Sequence, residues 1–316
     1  MTEITPSAAH HRIDELDYLK GIMIVLMISF HLVYIGDSYP YAKQVVYTFH
    51  MPVFLVISGY LMNMRKEPRR FLEMMLWFAV PYVVMESGYT VMASLLPIRE
   101  HINHLTPDVF AEKLFLHPLG PYWYLHTLML CGLTCYAVFH RDWMTSLLSR
   151  YILTGLLFAA YAHLGIVSLS LSLYFLAGVI VQQSSLTFLQ VFRSSPWAVL
   201  PVILLATCPE NLNHGTAGGA LIVYLVMSTC LAVYPYLGKK IGGALLFLGR
   251  NTLPLFLFSP IFTILCKPLV PLLSFDPTGL LFLAVSLVIC ITGSMAICWV
   301  MTRRKWTNIF KLRVIS

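Results

Sequence analysis

Charged residues are scarce in this sequence. Asp, Glu, Lys and Arg make up 11% of its 316 residues, whereas soluble globular chains carry about 25%. Hydrophobic residues account for 58%, and no polar stretch is long enough to form a soluble domain. This composition excludes the ordinary soluble classes and predicts an all-α integral membrane protein.

Several signals of other protein classes are also missing. The first 18 residues are polar and contain no apolar core, so we expect no cleavable signal peptide. Cys131 and Cys135 lie four residues apart, but no Cys/His pair accompanies them, and we therefore expect no metal site. GTAGGA at 215–220 follows no predicted strand and indicates helix packing rather than a nucleotide loop.

The chain shows no internal repeat, low-complexity tract or linker, so we predict a single membrane domain over residues 1–316. Within it, 1–18 and 303–316 form the two terminal segments. Apolar runs separated by turn and charge signals predict about ten transmembrane helices. We place them near 19–36, 45–64, 71–96, 119–140, 148–164, 167–184, 196–209, 214–237, 244–273 and 277–302.

The distribution of positive charge gives an independent check on this topology. With the N-terminus in the cytoplasm, four of the 21 Lys and Arg residues fall outside: Lys43, Arg99, Lys113 and Lys267. Because cytoplasmic loops are enriched in Lys and Arg, this bias predicts that both termini are cytoplasmic. The net charge of +7 therefore reflects membrane topology, not nucleic-acid binding.

The first predicted span contains two ionisable side chains on one helix face. Lys20 flanks the apolar run and His31 lies within it. Eleven helical residues return nearly to the same direction and advance by about 16 Å. Because an ionisable group inside a span is costly, the pair is a functional-site hypothesis. The structural alternative is that His31 only bonds a neighbouring helix.

Other polar residues occur at membrane depth or at its cytoplasmic edge. Those at depth are His50, Ser58, Glu86, His126, His163 and Ser259. The loop MRKEPRRF carries Arg65, Lys66, Arg69 and Arg70. This loop is a topology anchor, and its arginines also match the geometry of a phosphate-bearing ligand.

Five blocks of the sequence resemble the membrane-bound acyltransferase-3 family, in the same order. In that family the first block has a basic residue, ten intervening residues and a histidine. The second block resembles especially the branch with fucose 4-O-acetylase-like and enterobacterial-common-antigen acetyltransferases. The blocks are RIDELDYLKGIMIVLMISFH, FHMPVFLVISGYLM, RRFLEMMLWFAVPY, GPYWYL and LGRNTLPLFLF, which extend from Arg12 to about Pro260.

The resemblance implies a multipass enzyme that takes an acyl group, usually acetyl, from acyl-CoA on the cytoplasmic side. The acceptor is a hydroxyl of a carbohydrate, often lipid-linked or exported. His31 matches the essential histidine of the family, and Lys20 matches the basic residue that is usually Arg. Two further departures are Ser259, where many relatives have histidine, and Glu73, where relatives often have Arg.

We therefore predict an acyl-CoA-dependent O-acyltransferase, with acetyl as the leading acyl group, in a bacterial inner membrane. His31 would act as general base or form an acyl-imidazole. Acetyl-CoA would be a co-substrate, and no cofactor would be permanently bound. The predicted donor-binding residues are Lys20, Arg65, Arg69, Arg70 and Arg250. The predicted acceptor or cavity-lining residues are His50, Ser58, Glu86, Trp123, Tyr124 and His126.

A membrane transporter or flippase for a lipid-linked saccharide or small acid is the alternative function. Intramembrane His and Glu residues together with proline-interrupted helices are also typical of carriers. Carriers often contain internal repeats, and this sequence shows none.

Overall fold

The computed structural model describes residues 12–95, 100–141, 144 and 146–304. Within these ranges every regular element is a helix, which confirms the all-α prediction. The α-helices are α1 Asp14–His31, α2 Val33–Ser38, α3 Pro40–Leu61, α4 Pro68–Leu95, α5 Pro107–Phe115, α6 Trp123–Phe139, α7 Leu147–His163, α8 Leu169–Gln183, α9 Phe188–Val191, α10 Val199–Ala206, α11 Ala217–Val233, α12 Lys239–Arg250, α13 Thr252–Leu265, α14 Leu269–Leu272 and α15 Leu280–Arg303. Short 3-10 turns lie at Gly120–Tyr122, Pro196–Ala198, Pro209–Asn211 and Tyr234–Tyr236.

Three helical segments of the described chain are long and apolar enough to cross a membrane individually. They are Pro40–Leu61, Ala217–Tyr236 and Leu280–Arg303. Helices α12 and α13 pass the same test together and are bent by 87°. Ten spans are therefore not established by helix length and apolarity, and that number remains a prediction. The cytoplasmic location of the termini also remains a prediction, and Arg99 and most of both terminal segments lie outside the described residues.

Breaks in two of the predicted spans distinguish them from the observed helices. The first span is divided at Leu32, whose extended backbone ends α1 directly after His31. The ninth is divided at Asn251, which precedes all of its prolines, and again at 266–268, where Pro268 precedes α14. Pro254 lies in the first turn of α13, where a backbone N–H has no partner within the helix, so proline is tolerated there.

Helix α1 lies at the centre of the bundle, and glycines bring it close to α12. A side chain at Gly21 would collide with the Leu245 carbonyl, and one at Gly249 would collide with the Asp17 carbonyl. The backbones of α1 and α12 approach this closely because neither glycine carries a Cβ atom. This contact holds the start of α1 against the end of α12.

Helices α3 and α8 form a second close contact, which also depends on glycines. A Cβ atom at Gly59 would collide with the Phe175 carbonyl of α8, and one at Gly178 would collide with the Val56 carbonyl of α3. The contact is reciprocal, so each helix places a glycine against the backbone of the other. It fixes α3, which carries Lys43, Tyr47, His50 and Ser58 of the site described below.

Substitution of Gly178 by Ala is expected to force α3 and α8 apart. Overpacking of this kind costs about 1–3 kcal/mol, so the midpoint of thermal unfolding in detergent should fall. Gly155 is the matched control, since it lies within α7 and its Cβ would meet no atom within 4 Å. Gly155→Ala should leave the midpoint unchanged or raise it, and equal midpoints for both variants would contradict the close contact.

Candidate active site

A cavity of about 770 Å³ is lined by three histidines, His31 of α1, His50 of α3 and His214 of the loop before α11. We call it the histidine cavity. Its lining residues are Met27, His31, Pro40, Lys43, Gln44, Tyr47, His50, Met51, Pro121, Trp123, Leu171, Pro209, Glu210, Leu212, Asn213, His214 and Phe256. It is large enough for a ligand of the size that protein clefts usually bind.

A second cavity of about 240 Å³ lies beside the other end of α1. We call it the lysine cavity. Its lining residues are Lys20, Ile24, Met51, Phe54, Ile57, Ser58, Leu61, Met62, Met74, Phe78, Tyr124, Leu125, Leu128, Thr252, Leu253 and Phe256. Met51 and Phe256 line both cavities, which therefore adjoin at these two side chains.

One face of α1 extends along both cavities. Lys20 and Ile24 line the lysine cavity, and Met27 and His31 line the histidine cavity. These positions follow the i, i+4, i+7, i+11 spacing of a single helix face. The structure thus places Lys20 and His31 on one stripe but in two adjoining cavities, separated along the helix axis by about 16 Å.

Hydrogen bonds to the backbone define which nitrogen of each histidine carries the proton. Nδ1 of His31 lies 2.7 Å from the Met27 carbonyl oxygen, and Nδ1 of His50 lies 2.8 Å from the Val46 carbonyl oxygen. A carbonyl only accepts, so Nδ1 is the donor in each ring. In the neutral imidazole Nε2 then carries the lone pair and can accept a proton from a bound hydroxyl.

Tyr47 packs near both His31 and His50. Its ring centroid is 6.1 Å from that of His31 and 5.1 Å from that of His50. Its hydroxyl donates to the Phe30 carbonyl over 3.2 Å. Lys43, Tyr47 and His50 follow i, i+4, i+7 spacing on α3. This pattern is visible in the sequence, but Lys43 and Tyr47 were not among the predicted site residues.

The opposite wall of the histidine cavity comes from a loop distant in sequence. Glu210, Asn213 and His214 line it, and Ser170 Oγ lies 3.0 Å from His214 Nδ1. The Tyr174 hydroxyl donates to the His214 carbonyl over 2.8 Å. None of these residues was predicted, because their proximity to α1 and α3 depends on the tertiary fold.

Lys20 pairs with the buried carboxylate of Asp17, which was not among the predicted site residues. Asp17, which is 3% exposed, contacts Lys20 Nζ at 2.8 Å, Arg12 Nε at 2.5 Å and Arg250 Nε at 3.7 Å. Arg250 also contacts Asp14 at 3.3 Å. Three cations and two carboxylates therefore form one network at this end of α1, beside the lysine cavity, and Glu15 adds a third carboxylate to the first turn of the helix.

The predicted polar residues Ser58 and Tyr124 meet inside the lysine cavity. Their hydroxyl oxygens lie 2.9 Å apart, and the Tyr124 ring packs against Phe54 with centroids 6.0 Å apart. Trp123, the neighbour of Tyr124, lines the histidine cavity instead. The two aromatic residues of this motif therefore contribute to different cavities.

The predicted arginines of MRKEPRRF are dispersed, with Arg65 before α4 and Arg69 and Arg70 in its first turn. Arg69 pairs with Glu73 at 3.4 Å and Arg70 with Glu67 at 3.6 Å, and all four side chains are exposed. Arg70 lines a surface groove with Lys66 and Trp77, and that groove shares Met74 with the lysine cavity. Arg65 lines a separate cavity beside Arg150.

Two predicted lining residues lie away from both cavities. Glu86 is fully buried and accepts a hydrogen bond from the Leu119 N–H over 2.6 Å. His126 Nε2 lies 2.9 Å from the Phe115 carbonyl. Glu86 thus anchors the turn that leads into Pro121 and Trp123, while Glu100 accepts from the next N–H, that of Gly120, over 2.7 Å.

Within the described residues no three His, Cys, Asp or Glu side chains converge as a metal ion would require. The groups lining the two cavities that can react or bind are imidazoles, hydroxyls, two lysines and the Glu210 carboxylate, and Arg12 and Arg250 lie beside Asp17. They suit proton transfer and the binding of an anionic ligand.

Such groups occur in several classes of enzyme, and comparison with known families identifies the family of this chain. Residues 13–303 match the family profile described as "Acyltransferase domain". The chain belongs to the acyltransferase-3 family. This match confirms the resemblance inferred from the five blocks, it supports an acyltransferase activity, and the family's membrane association agrees with the apolar helices.

Curated relatives are similar over a short stretch. A protein named nodulation protein NolL from Mesorhizobium japonicum is 44% identical over 64 residues, which cover 18% of this chain and 17% of the relative. A protein of the same name from Sinorhizobium fredii is 40% identical over 63 residues, 17% of each chain. No solved structure matches this chain.

Glu86→Ala is expected to destabilise the protein, because it leaves the buried Leu119 N–H without its acceptor. Loss of a buried partner costs about 1–3 kcal/mol. Glu86→Gln keeps an oxygen that can accept this bond and should retain most of the stability. Thermal unfolding of the two variants and of Glu100→Ala, whose bond is exposed, provides the measurement. An Ala variant at position 86 as stable as the Gln variant would contradict this role.

Proposed function

We propose that this protein transfers an acyl group, with acetyl as the leading case, from acyl-CoA to a hydroxyl of a lipid-linked or cell-surface carbohydrate. The observation that carries the proposal is the single face of α1 that places Lys20 in one cavity and His31 in the next. Membership in the acyltransferase-3 family supports the reaction class.

The lysine cavity would receive the donor. Coenzyme A carries phosphates, and Lys20, with Arg12 and Arg250 on the same carboxylate network, would offer them charge-assisted hydrogen bonds. Lys66 and Arg70, in the groove that adjoins this cavity at Met74, offer two further cations. The thioester arm would then extend through the apolar lysine cavity toward Met51 and Phe256.

The histidine cavity would receive the acceptor. Its volume of about 770 Å³ suits a saccharide unit. Gln44, Asn213 and Glu210 offer hydrogen-bonding groups to sugar hydroxyls, and Trp123 offers an aromatic face. Membership in the family supports a carbohydrate as the acceptor, and the polar lining of this cavity is consistent with it.

The chemical step would place His31 between acceptor and donor. Nε2 accepts the proton of the acceptor hydroxyl while its oxygen attacks the thioester carbonyl carbon, and the tetrahedral intermediate forms. The carbon–sulfur bond then breaks, and the departing thiolate takes the proton back from Nε2. The Ser58 and Tyr124 hydroxyls are the donors available in the lysine cavity to stabilise the oxyanion.

A two-step variant of this mechanism uses the same atoms. Nε2 of His31 would attack the thioester directly, form an acyl-imidazole and release the thiolate. The acceptor hydroxyl would then attack the acyl-imidazole, with His50, whose ring faces the same cavity, as the available base. In both variants the Met27 carbonyl holds the His31 ring in position.

The proposed setting is a bacterial inner membrane with both termini in the cytoplasm. Acyl-CoA would then approach from the cytoplasm, on the side of Lys20. The cavity containing His31 would lie toward the opposite side. The four outer positive residues named above are few compared with the inner ones, and this bias supports the orientation.

His31→Ala should abolish acyl transfer while the protein still inserts and folds. A general base contributes about 10²–10⁴-fold, so we expect at least a hundredfold loss. The measurement uses purified protein in nanodiscs, acetyl-CoA labelled on the acetyl group and a glycan-containing lipid extract. His163→Ala is the control, because His163 ends α7 and lines neither cavity.

Near wild-type turnover in the His31→Ala protein would contradict the assignment of the base. If well-folded wild-type protein neither transfers label nor binds acetyl-CoA, the enzyme hypothesis fails. Uptake of a lipid-linked saccharide or small acid into vesicles without acyl-CoA would then support the transporter.

Lys20→Ala should weaken acyl-CoA binding, and Lys20→Arg should keep it. A charge-assisted hydrogen bond contributes about 1.5–3 kcal/mol, so the KM for acetyl-CoA should rise by about tenfold or more in the Ala variant. Arg retains the charge that pairs with Asp17. Equal acetyl-CoA affinity in wild type and both variants would remove Lys20 from the donor site.

A further inference from the structure

Two apolar side chains form the boundary between the cavities. Met51 follows His50 on α3, and Phe256 lies on α13. Both are almost fully buried, with 7% and 6% of their surface exposed, and both line the histidine cavity and the lysine cavity. Any group that passes from a donor in one cavity to an acceptor in the other must cross this boundary.

The position of Phe256 is fixed by its neighbours. Its ring centroid lies 5.4 Å from that of Tyr124 and 6.2 Å from that of Tyr122. The Tyr122 hydroxyl donates to the carbonyl of Leu257, the next residue, over 3.0 Å. The 87° bend between α12 and α13 brings this first part of α13 to the cavities. A ring packed in this way does not swing aside at little cost.

The space on the donor side of this boundary is small and apolar. The lysine cavity measures about 240 Å³ and the histidine cavity about 770 Å³. Ile24, Phe54 and Leu128 surround its apolar part together with the two boundary residues. A thioester reaching the boundary from Lys20 has its acyl carbons against Phe256, so every additional methylene needs volume that the ring already fills.

We propose that Phe256, supported by Met51, is the residue that selects the acyl group: it separates the donor and acceptor cavities and limits transfer to acetyl. This inference rests on the proposed acyl transfer. It adds a preference for one acyl group, which acyl transfer by itself does not require. The same ring keeps water in the histidine cavity away from the thioester. Without it, water would add to the carbonyl carbon, the carbon–sulfur bond would break, and a carboxylic acid and free CoA would result.

The test compares Phe256→Ala and Phe256→Leu with wild type. Phe258→Ala is the matched control, since Phe258 lies on the same helix, is 7% exposed and lines neither cavity. Initial rates of acyl transfer to the glycan-containing lipid extract are measured with acetyl-, propionyl- and butyryl-CoA. Free CoA released without the extract is measured separately in nanodiscs.

A pocket discriminates about 10–200-fold for each methylene. We therefore expect wild type to prefer acetyl-CoA over butyryl-CoA at least tenfold in kcat/KM. Phe256→Ala should reduce this preference by about tenfold or more and increase CoA release in the absence of acceptor. Phe256→Leu should lie between the two, and Phe258→Ala should keep the wild-type preference.

Three results would overturn the inference while leaving the proposed function intact. They are a wild type that transfers all three acyl groups equally, a Phe256→Ala protein with the wild-type preference, and a Phe258→Ala protein that loses the preference to the same extent. If Phe256→Ala does not fold, Phe256→Leu and Met51→Val decide the question by the same ratio. A wild type that transfers no acyl group at all overturns both proposals.

Discussion

The described structure depends on one constraint: a polar group that is buried away from water needs a hydrogen-bonding partner. Each unpaired group lowers the stability of the fold, and other interactions in a membrane bundle do not offset that loss. Many intramembrane polar side chains meet it by bonding the carbonyl one turn earlier on their own helix. His31, His50, Thr154 and Ser294 all do so. For the two histidines this bond has a chemical consequence, since it occupies Nδ1 and leaves Nε2 for proton transfer.

The same constraint explains how a lysine is accommodated beside an apolar cavity. Asp17 is buried only in the company of Arg12, Lys20 and Arg250, and those cations need Asp17 in turn. Removal of Asp17 would leave Arg12 and Lys20 without the carboxylate they contact, which is far costlier than absence of the whole group. The network joins α1 to the end of α12 where Gly249 permits close approach. Packing and electrostatics therefore position Lys20 together.

A single helix then connects the two halves of the site. Because α1 carries Lys20 and His31 on one face, the lysine cavity and the histidine cavity are arranged along its length and meet at Met51 and Phe256. A transferase needs its two substrates close and water excluded. Two cavities that share only a narrow apolar boundary satisfy both conditions, with Phe256 held in place by Tyr122 and Tyr124.

Local spacing in the sequence determined the helical class, the common face of Lys20 and His31, and the order of blocks that identifies the family. Each of these properties depends on the spacing or order of residues along the chain, so it can be predicted without knowing how the helices pack. The tertiary structure alone decided that Glu210 and His214 line the same cavity as His31, that Arg250 reaches Asp17, and that Phe256 lies between the two cavities. Contacts between residues so far apart in the chain depend on packing, and the breaks at Leu32 and Asn251 redirect the helices in ways that hydrophobicity does not encode. Glu86 shows the same limit: its buried carboxylate was predicted to line a cavity, and the fold instead places it against the backbone of Leu119.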